Sequence, residues 1–283
     1  MKHFKVLQSL WAMERRQPDG IERTLEENLA MIHGAGFDGI SMSFTSADAA
    51  RRAGRFAAER GVLIEAQCFP STVDDLKPTL DLAREVGVQY VDLQPDVRPR
   101  TVAECVPLLE GWQRLAADAN MDLVVETHRD RMTADLHFTL DLLDACPNLR
   151  LLADLSHFLV GREFPDPPRP IEHQMIQRIL DHSWALHGRV ASREQVQIPI
   201  AFPQHSRWVE LFMGWWKYGM RSWLARAPDE ATLCFVCELG PPPYAITSAD
   251  GCDLTDRWEE ALQMRSDVTA LWKKLGQKAA AVG

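Results

Sequence analysis

Four side chains that can bind a metal or transfer a proton lie near the C-terminal ends of separate apolar segments in the second half of the chain. The four are Glu126, Asp154, His187 and Glu238, and their segments are 121–126, 149–154, 183–187 and 231–238. In a parallel barrel the C-terminal ends of the strands share one rim, and the chemistry is carried there. The pattern therefore predicts one divalent metal at the mouth of a barrel.

The composition of this set also favours a cation. Three carboxylates placed together repel one another and lose hydration, whereas a divalent ion converts the same group into a stable site. Oxygen ligands with one imidazole favour Mn²⁺, with Mg²⁺, Co²⁺ or Zn²⁺ as alternatives. The competing interpretation is four isolated strand-end residues, each satisfied by loop amides, and it would have to hold on four consecutive strands.

Residues two positions before each candidate ligand are apolar: Val124, Leu152, Ala185 and Val236. Side chains alternate between the two faces of a strand, so each of these residues shares a face with its ligand candidate. The charged groups are therefore predicted to lie just above a packed barrel interior.

Eight apolar segments alternate with eight amphipathic ones along the chain, which predicts strand–helix repeats around a parallel sheet. The strands are predicted near 4–11, 37–43, 62–68, 88–94, 121–127, 149–155, 183–189 and 231–238. The helices are predicted near 21–34, 46–60, 72–86, 101–118, 133–145, 171–181, 207–226 and 254–277. The fold class is thus α/β, a single-domain (β/α)8 TIM barrel spanning residues 1–283. Long connections at 156–170 and 188–206 follow strand ends and are expected to shape a substrate pocket.

Charge and composition exclude several classes of protein. The net charge of -9 argues against a nucleic-acid partner, which requires a basic face. No apolar stretch approaches the roughly 20 residues that span a bilayer, and the N-terminus has no export signal. A cytoplasmic protein that acts on a small molecule is the expectation.

Several segments resemble the xylose-isomerase-like TIM barrels, a family that includes sugar isomerases, ketose 3-epimerases and, more distantly, apurinic endonucleases. These segments are Val-Val-Glu126-Thr-His128-Arg129, Ala-Asp154-Leu-Ser-His157-Phe, Leu-His187-Gly-Arg189-Val and Cys-Glu238-Leu-Gly. The resemblance implies that Glu126, Asp154, His187 and Glu238 bind one divalent cation. It also implies that Glu126 and Glu238 act as catalytic acid and base. The implied activity is isomerisation or epimerisation of a sugar or related polyhydroxy carbonyl compound by proton transfer through a metal-stabilised enediolate.

Other polar residues at the predicted rim are candidates for substrate binding. His157 completes an Asp-x-x-His pattern whose histidine contacts substrate or a second metal in the family that the chain resembles. Arginines after the seventh strand could hold a hydroxyl, carboxylate or phosphate through their fork of donors. The substrate-binding set is predicted to be His157, Arg189, His128, Gln67, Gln94 and Arg193, and Glu65 shares a strand face with Gln67.

Two other activities compete with the isomerase interpretation. A lyase or hydratase acting on an oxidised sugar or glycoside would use the same first proton abstraction, and a non-catalytic ligand-binding barrel could keep the fold. An apurinic endonuclease is disfavoured, because Gln67-Cys68-Phe69 and Gln94-Pro95 stand where that branch would place histidines.

Five large aromatic residues in the seventh predicted helix favour a further hypothesis. Trp208, Phe212, Trp215, Trp216 and Trp223 follow an approximately helical spacing. Packing against the barrel would account for most of them. Their number also suggests a homo-oligomer contact or a lid.

Overall fold

Eight parallel strands form a closed barrel in the computed structural model, which describes residues 2–16 and 20–280. The strands are β1 His3–Ser9, β2 Gly39–Ser43, β3 Leu63–Cys68, β4 Tyr90–Leu93, β5 Leu123–Glu126, β6 Leu151–Ala153, β7 Ser183–Gly188 and β8 Thr232–Cys237. Each strand pairs with the next, and β8 pairs with β1 to close the sheet. The predicted TIM barrel is confirmed. The predicted domain limits of 1–283 include residues 1, 17–19 and 281–283, which lie outside the described residues.

Helices follow the strands around the barrel. They are α1 Leu25–Gly34, α2 Ala47–Arg60, α3 Lys77–Val86, α4 Val102–Asp118, α5 Leu136–Ala145, α6 Ser156–Gly161, α7 Pro170–Asp181, α8 Ser206–Arg226 and α9 Arg257–Ala280. None of the helices in the described ranges is long and apolar enough to cross a bilayer.

Helix caps explain why some helices begin later than predicted. At α1, the Thr24 side chain accepts from the Glu27 amide while the Glu27 carboxylate accepts from the Thr24 amide, which forms a capping box. The Asp135 side chain caps α5 in a similar position by accepting from the Phe138 amide. The short helix α6 was not predicted; it occupies part of the connection after β6.

The barrel interior follows the predicted alternation. One buried cluster contains Leu7, Tyr90, Val124, Leu152, Ala185, Cys234 and Val236. It includes all four residues that were expected beneath the candidate ligands. A larger apolar core lies between the barrel and the surrounding helices.

The aromatic residues of α8 pack inside the chain. Trp208, Phe212, Trp215, Trp216 and Trp223 are all buried, and the Trp216 ring meets the Phe235 ring of β8 edge-on at 5.0 Å. Packing inside the chain, against β8 for Trp216 and against α7 and α9 for Trp215 and Trp223, thus accounts for the aromatic set. This set gives no support to the oligomer or lid hypothesis, because none of the five rings is exposed, and the homo-oligomer stays a prediction.

Gly188 in β7 brings the strand backbone into close contact with side chains of the core. A Cβ atom on Gly188 would lie 2.3 Å from the Phe235 ring and 2.7 Å from the Met264 sulfur. Neither distance is compatible with a side chain, so residue 188 must be glycine for this packing. Gly188 lies between His187 and Arg189, and it fixes the path of the backbone that carries them.

Candidate metal centre and substrate pocket

A cavity of about 500 Å³ opens above the C-terminal ends of the strands. Its polar lining includes Gln67, Gln94, Arg189 and Glu238, which end or follow β3, β4, β7 and β8. Its aromatic lining consists of Trp11, Phe69 and Tyr244. The cavity therefore lies at the rim where the sequence places the chemistry.

Three of the four predicted metal ligands come together at this rim. Glu126, His187 and Glu238 each offer a ligand atom within 4.8 Å of the others, and all three are buried. His187 Nδ1 lies 3.1 Å from Glu238 Oε2 and 3.4 Å from Glu126 Oε1. Within the described part of the chain, His187 Nδ1 and both Glu126 carboxylate oxygens have no hydrogen-bond partner. Unpartnered buried acceptors are costly, and a cation bound among them would satisfy them.

The fourth predicted ligand, Asp154, is already bound to other protein groups. Its Oδ1 accepts from the Ser156 amide at 2.9 Å and from the Ser156 hydroxyl at 2.6 Å. Its Oδ2 accepts from Arg189 Nη1 at 2.8 Å. Asp154 belongs to none of the clusters of potential metal ligands among the described residues. Its role as a ligand stays a prediction.

Arg189 connects two of the predicted ligands. Its guanidinium donates to Asp154 and, at 2.7 Å, to Glu238 Oε2, while its Nε donates to the Glu238 carbonyl at 3.0 Å. The rings of Trp11 and Tyr244 lie 5.6 and 4.8 Å from the guanidinium carbon. The side chain is 1% exposed. Its donors are directed at protein carboxylates, although Arg189 also lines the cavity, and its contact with substrate stays a prediction.

A second group of polar residues lies deeper in the barrel, on the far side of the His187 ring. Glu65 Oε1 lies 3.0 Å from His187 Nε2, and the Tyr90 hydroxyl donates to the other oxygen of Glu65. Glu65, Asp92 and His187 also offer ligand atoms within 4.8 Å of one another. The sequence reasoning missed Tyr90 and Asp92. The alternation of residues 90, 92 and 94 on β4 was the signal that could have found them.

This centre carries more negative than positive charge. Burial, together with the carboxylates of Glu126 and Glu65, raises the pKa of Asp92 well above its usual range. Burial also disfavours ionisation of Glu238, but His187 and Arg189 outweigh it and lower the pKa of Glu238 to about 2. Such unequal shifts are typical of functional sites.

The same carboxylates act on His187. Burial disfavours its charged form, but Glu238, Glu65 and Glu126 outweigh that effect and raise the pKa of His187 well above its usual range. A buried position that stabilises a proton on an imidazole so strongly is also one that attracts a metal cation.

The two histidines predicted to contact substrate lie side by side. The ring centroids of His128 and His157 are 4.1 Å apart, and both residues form a third cluster of potential ligands with Glu126. Burial, together with the neighbouring His128 and Arg189, lowers the pKa of His157 well below its usual range, so His157 is neutral at neutral pH. Of the two, only His128 lines the cavity.

The remaining substrate candidates separate into two groups. Gln67 and Gln94 line the cavity, and Gln67 donates to Glu238 Oε1 at 3.3 Å. Arg193 does not line it. The Arg193 side chain is 41% exposed, and its guanidinium lies 3.7 Å from the carboxylates of Glu163 and Glu194. The structure therefore groups the two glutamines with the pocket and leaves Arg193 outside it.

Comparison with solved structures shows that this barrel is similar in fold to several xylose-isomerase-like TIM barrels. A xylose isomerase-like TIM barrel protein from Mycobacterium smegmatis, solved in complex with magnesium, matches with a TM-score of 0.62 and 15% identity over 95% of this chain and 97% of that one. A sugar phosphate isomerase/epimerase from Parabacteroides distasonis matches with a TM-score of 0.58 and 10% identity, covering 93% and 97% of the two chains. The probable 3-DHS dehydratase AsbF from Bacillus anthracis matches with a TM-score of 0.52 and 14% identity, covering 83% and 92%.

At these identities the likeness establishes the fold, and the predicted resemblance to such barrels is confirmed at that level. No family model matches the sequence, and no curated protein sequence matches it.

Proposed function

We propose that this protein is a divalent-metal-dependent isomerase or epimerase of a sugar or related polyhydroxy carbonyl compound. The observation that carries the proposal is a pair of buried carboxylates, Glu126 and Glu238, that both face His187 Nδ1 next to a cavity of about 500 Å³. The solved neighbours that are named as isomerase-like barrels support the same class of chemistry.

The residues present fit a divalent cation. Glu126, His187 and Glu238 would hold it, and Asp154 would join them if Arg189 released its carboxylate. Carboxylate oxygens with one imidazole suit Mn²⁺, which we propose as the metal, and Mg²⁺ would suit the same set. A bound cation would act as a Lewis acid that polarises the carbonyl group of the substrate.

Of the two carboxylates, Glu126 has the freer oxygens to take the first proton, and Glu238 is the one that lines the cavity. Neither oxygen of Glu126 is occupied by a hydrogen bond from the described residues, so Glu126 can accept a proton from the carbon beside the carbonyl. Glu238 is held by Gln67 and Arg189 and is ionised in the metal-free protein. Epimerisation requires a second group that returns a proton on the opposite face of that carbon. We assign this step to Glu238, which lines the cavity and would first take up a proton from solvent there.

The cavity lining suits a polyhydroxy compound. The rings of Trp11, Phe69 and Tyr244 can cover the C–H faces of such a substrate, and Gln67 and Gln94 offer amide donors and acceptors to its hydroxyl groups. A few polar groups in a partly apolar cavity are typical of small-molecule sites.

Proton exchange with solvent tests the proposal. The purified protein, loaded with Mn²⁺ or Mg²⁺, is incubated in D₂O with a panel of ketoses and aldoses, and deuterium incorporation is followed by mass spectrometry. We expect one deuterium at the carbon beside the carbonyl of the true substrate. Glu126→Gln should lower the exchange rate by about 10²–10⁴-fold.

The control variant is Glu85→Gln. Glu85 is an exposed carboxylate on α3 that pairs with Arg51 at 2.7 Å. The Glu85→Gln variant should catalyse proton exchange at the wild-type rate. A metal-loaded protein that exchanges no proton with any member of the panel contradicts the proposal. So does wild-type exchange by the Glu126→Gln variant.

A lyase or hydratase is the second candidate. It is favoured by the structural likeness to a probable 3-DHS dehydratase, and it needs the same abstraction by Glu126. Elimination gives an α,β-unsaturated carbonyl product that absorbs in the ultraviolet, whereas isomerisation or epimerisation does not. Absence of both metal binding and proton exchange would instead favour a ligand-binding barrel.

A further inference from the structure

The ring of His187 separates two groups of carboxylates. Its Nδ1 faces Glu238 and Glu126 at 3.1 and 3.4 Å, and its Nε2 faces Glu65 at 3.0 Å. A neutral imidazole has one N–H donor and one lone pair. Only the group that faces the lone pair can therefore share a metal with His187, and the position of the ring proton decides which group that is.

Contacts of Glu65 determine where that proton lies. Glu65 on β3 and Tyr90 on β4 are direct neighbours in the strand register, and the Tyr90 hydroxyl donates to one Glu65 oxygen. The other oxygen meets His187 Nε2. Both Glu65 oxygens therefore face a donor group, the Tyr90 hydroxyl on one side and the imidazole on the other, and a carboxylate accepts hydrogen bonds from such groups. The contact at Nε2 thus keeps a proton on Nε2, so Nδ1 is the nitrogen that gives up its proton and offers its lone pair when the cation binds.

We propose that Glu65, held by Tyr90, is a positioning residue for the metal centre. By binding the Nε2–H group of His187 it directs the Nδ1 lone pair at Glu126 and Glu238, so that the cation binds beside the cavity and not among Glu65, Asp92 and His187. The inference rests on the metal dependence in the proposed function.

Access from the cavity and the burial of the carboxylates also favour the cation site beside the cavity. Glu238 lines the cavity, whereas Glu65 and Asp92 do not line it and are completely buried. Residues that bind the second nitrogen of a ligating histidine fix its tautomer and ring orientation, and their loss typically weakens metal binding about 10–100-fold.

Calorimetric titration of the metal-free protein with Mn²⁺ tests the role of Glu65. Glu65→Gln should weaken Mn²⁺ binding by about 10–100-fold, because the amide can turn a donor toward Nε2 and move the ring proton to Nδ1. Tyr90→Phe is the milder variant. It removes one hydrogen bond from Glu65 and should weaken binding in the same direction by a smaller factor.

Asp92→Asn is the matched control. Asp92 belongs to the same buried group as Glu65 and His187, but none of the hydrogen bonds in the structure joins its side chain to His187 among the described residues. If Glu65 acted only through the polarity and packing of this buried group, Asp92→Asn would weaken Mn²⁺ binding as much as Glu65→Gln. Equal losses in the two variants would overturn the proposal, and a clearly smaller loss in Asp92→Asn supports it.

Nitrogen-15 NMR of the imidazole rings gives a readout in the wild-type protein itself. The protein has nine histidines, and the spectrum of His187→Gln identifies the signals of His187 by their absence. In the Zn²⁺-loaded wild type we expect a protonated Nε2 and a metal-bound Nδ1. The opposite pattern, or wild-type affinity for Mn²⁺ in Glu65→Gln, would overturn the proposal.

Failure of the proposed function gives different results. A wild-type protein that binds no metal refutes both the proposed function and the positioning role of Glu65. A wild type that binds metal through Nδ1 but exchanges no substrate proton refutes the proposed activity and supports the role of Glu65.

Discussion

Replacing Arg189 by methionine should strongly destabilise the metal-free protein. The Arg189 side chain is 1% exposed, and its guanidinium forms ion pairs with two buried carboxylates, Asp154 at 2.8 Å and Glu238 at 2.7 Å. Methionine keeps much of the side-chain length and removes the charge. Both carboxylates would then lose their cationic partner without gaining access to water.

The size of the effect follows from the burial of the pair. Removing one partner of a buried ion pair costs about 3–5 kcal/mol, since the remaining charge stays buried and uncompensated. At roughly 2 °C per kcal/mol for a chain of this size, the melting temperature should fall by about 6–10 °C.

A divalent cation should reverse part of this loss. When it binds near Asp154 and Glu238 it supplies the charge that Arg189 supplied, and a ligand at 100 times its Kd stabilises the folded state by about 2.7 kcal/mol. If Arg189 competes with the metal for these carboxylates, Mn²⁺ should stabilise the Arg189→Met variant more than the wild type.

Thermal and urea unfolding with EDTA or with Mn²⁺ measure both the stability that Arg189→Met loses and the stability that the cation restores. Arg51→Met is the control, because Arg51 and Glu85 form an exposed pair at 2.7 Å whose side chains are 49% and 51% exposed. Such pairs contribute about 0–1 kcal/mol. The reasoning is refuted if Arg189→Met in EDTA loses no more stability than Arg51→Met, or if Mn²⁺ stabilises the Arg189 variant less than the wild type.

Two further predictions concern the barrel around the site. The folded state raises the pKa of Asp92 above its ordinary value of 3.8. As the pH rises above 3.8, the free energy of unfolding of the metal-free wild type should therefore fall relative to that of Asp92→Asn, by up to about 1.4 kcal/mol per pH unit. The fall should end when Asp92 itself ionises. Urea unfolding across this pH range measures the difference, and parallel curves would contradict it. Gly188→Ala should cost about 1–3 kcal/mol by forcing a methyl group against Phe235 and Met264, and it should also weaken Mn²⁺ binding at His187. Gly214→Ala in α8, where a Cβ meets nothing within 4 Å, should instead raise stability by about 0.5–1 kcal/mol in the same unfolding assay.

Local periodicity was sufficient to predict the barrel. Strands that alternate with amphipathic helices bury their apolar faces in a parallel sheet, and eight such pairs are the number that closes a TIM barrel. The alternation along each strand placed Val124, Leu152, Ala185 and Val236 in the interior. The same alternation placed Glu126, His187 and Glu238 at one rim. These features depend on contacts within a strand or between consecutive elements, and the sequence contains that information.

Boundaries and surface contacts were predicted less well. Predicted strand 149–155 shortens to Leu151–Ala153, and the next residue, Asp154, takes its Oδ1 contacts from Ser156 at the start of α6. The aromatic residues of α8 were a second difficulty. Helical spacing alone could not distinguish a stripe that faces the barrel from one that also faces a partner.

The sequence by itself determined the barrel fold, the rim at which the candidate site lies and most of the residues gathered there. Only the tertiary structure decided that Arg189 bridges Asp154 and Glu238, and that Glu65 reaches His187 from the opposite side of the barrel. Glu65 and His187 are 122 residues apart in the chain. Which polar groups meet inside a closed barrel depends on the register of all eight strands at once, and no local pattern in the sequence contains that register.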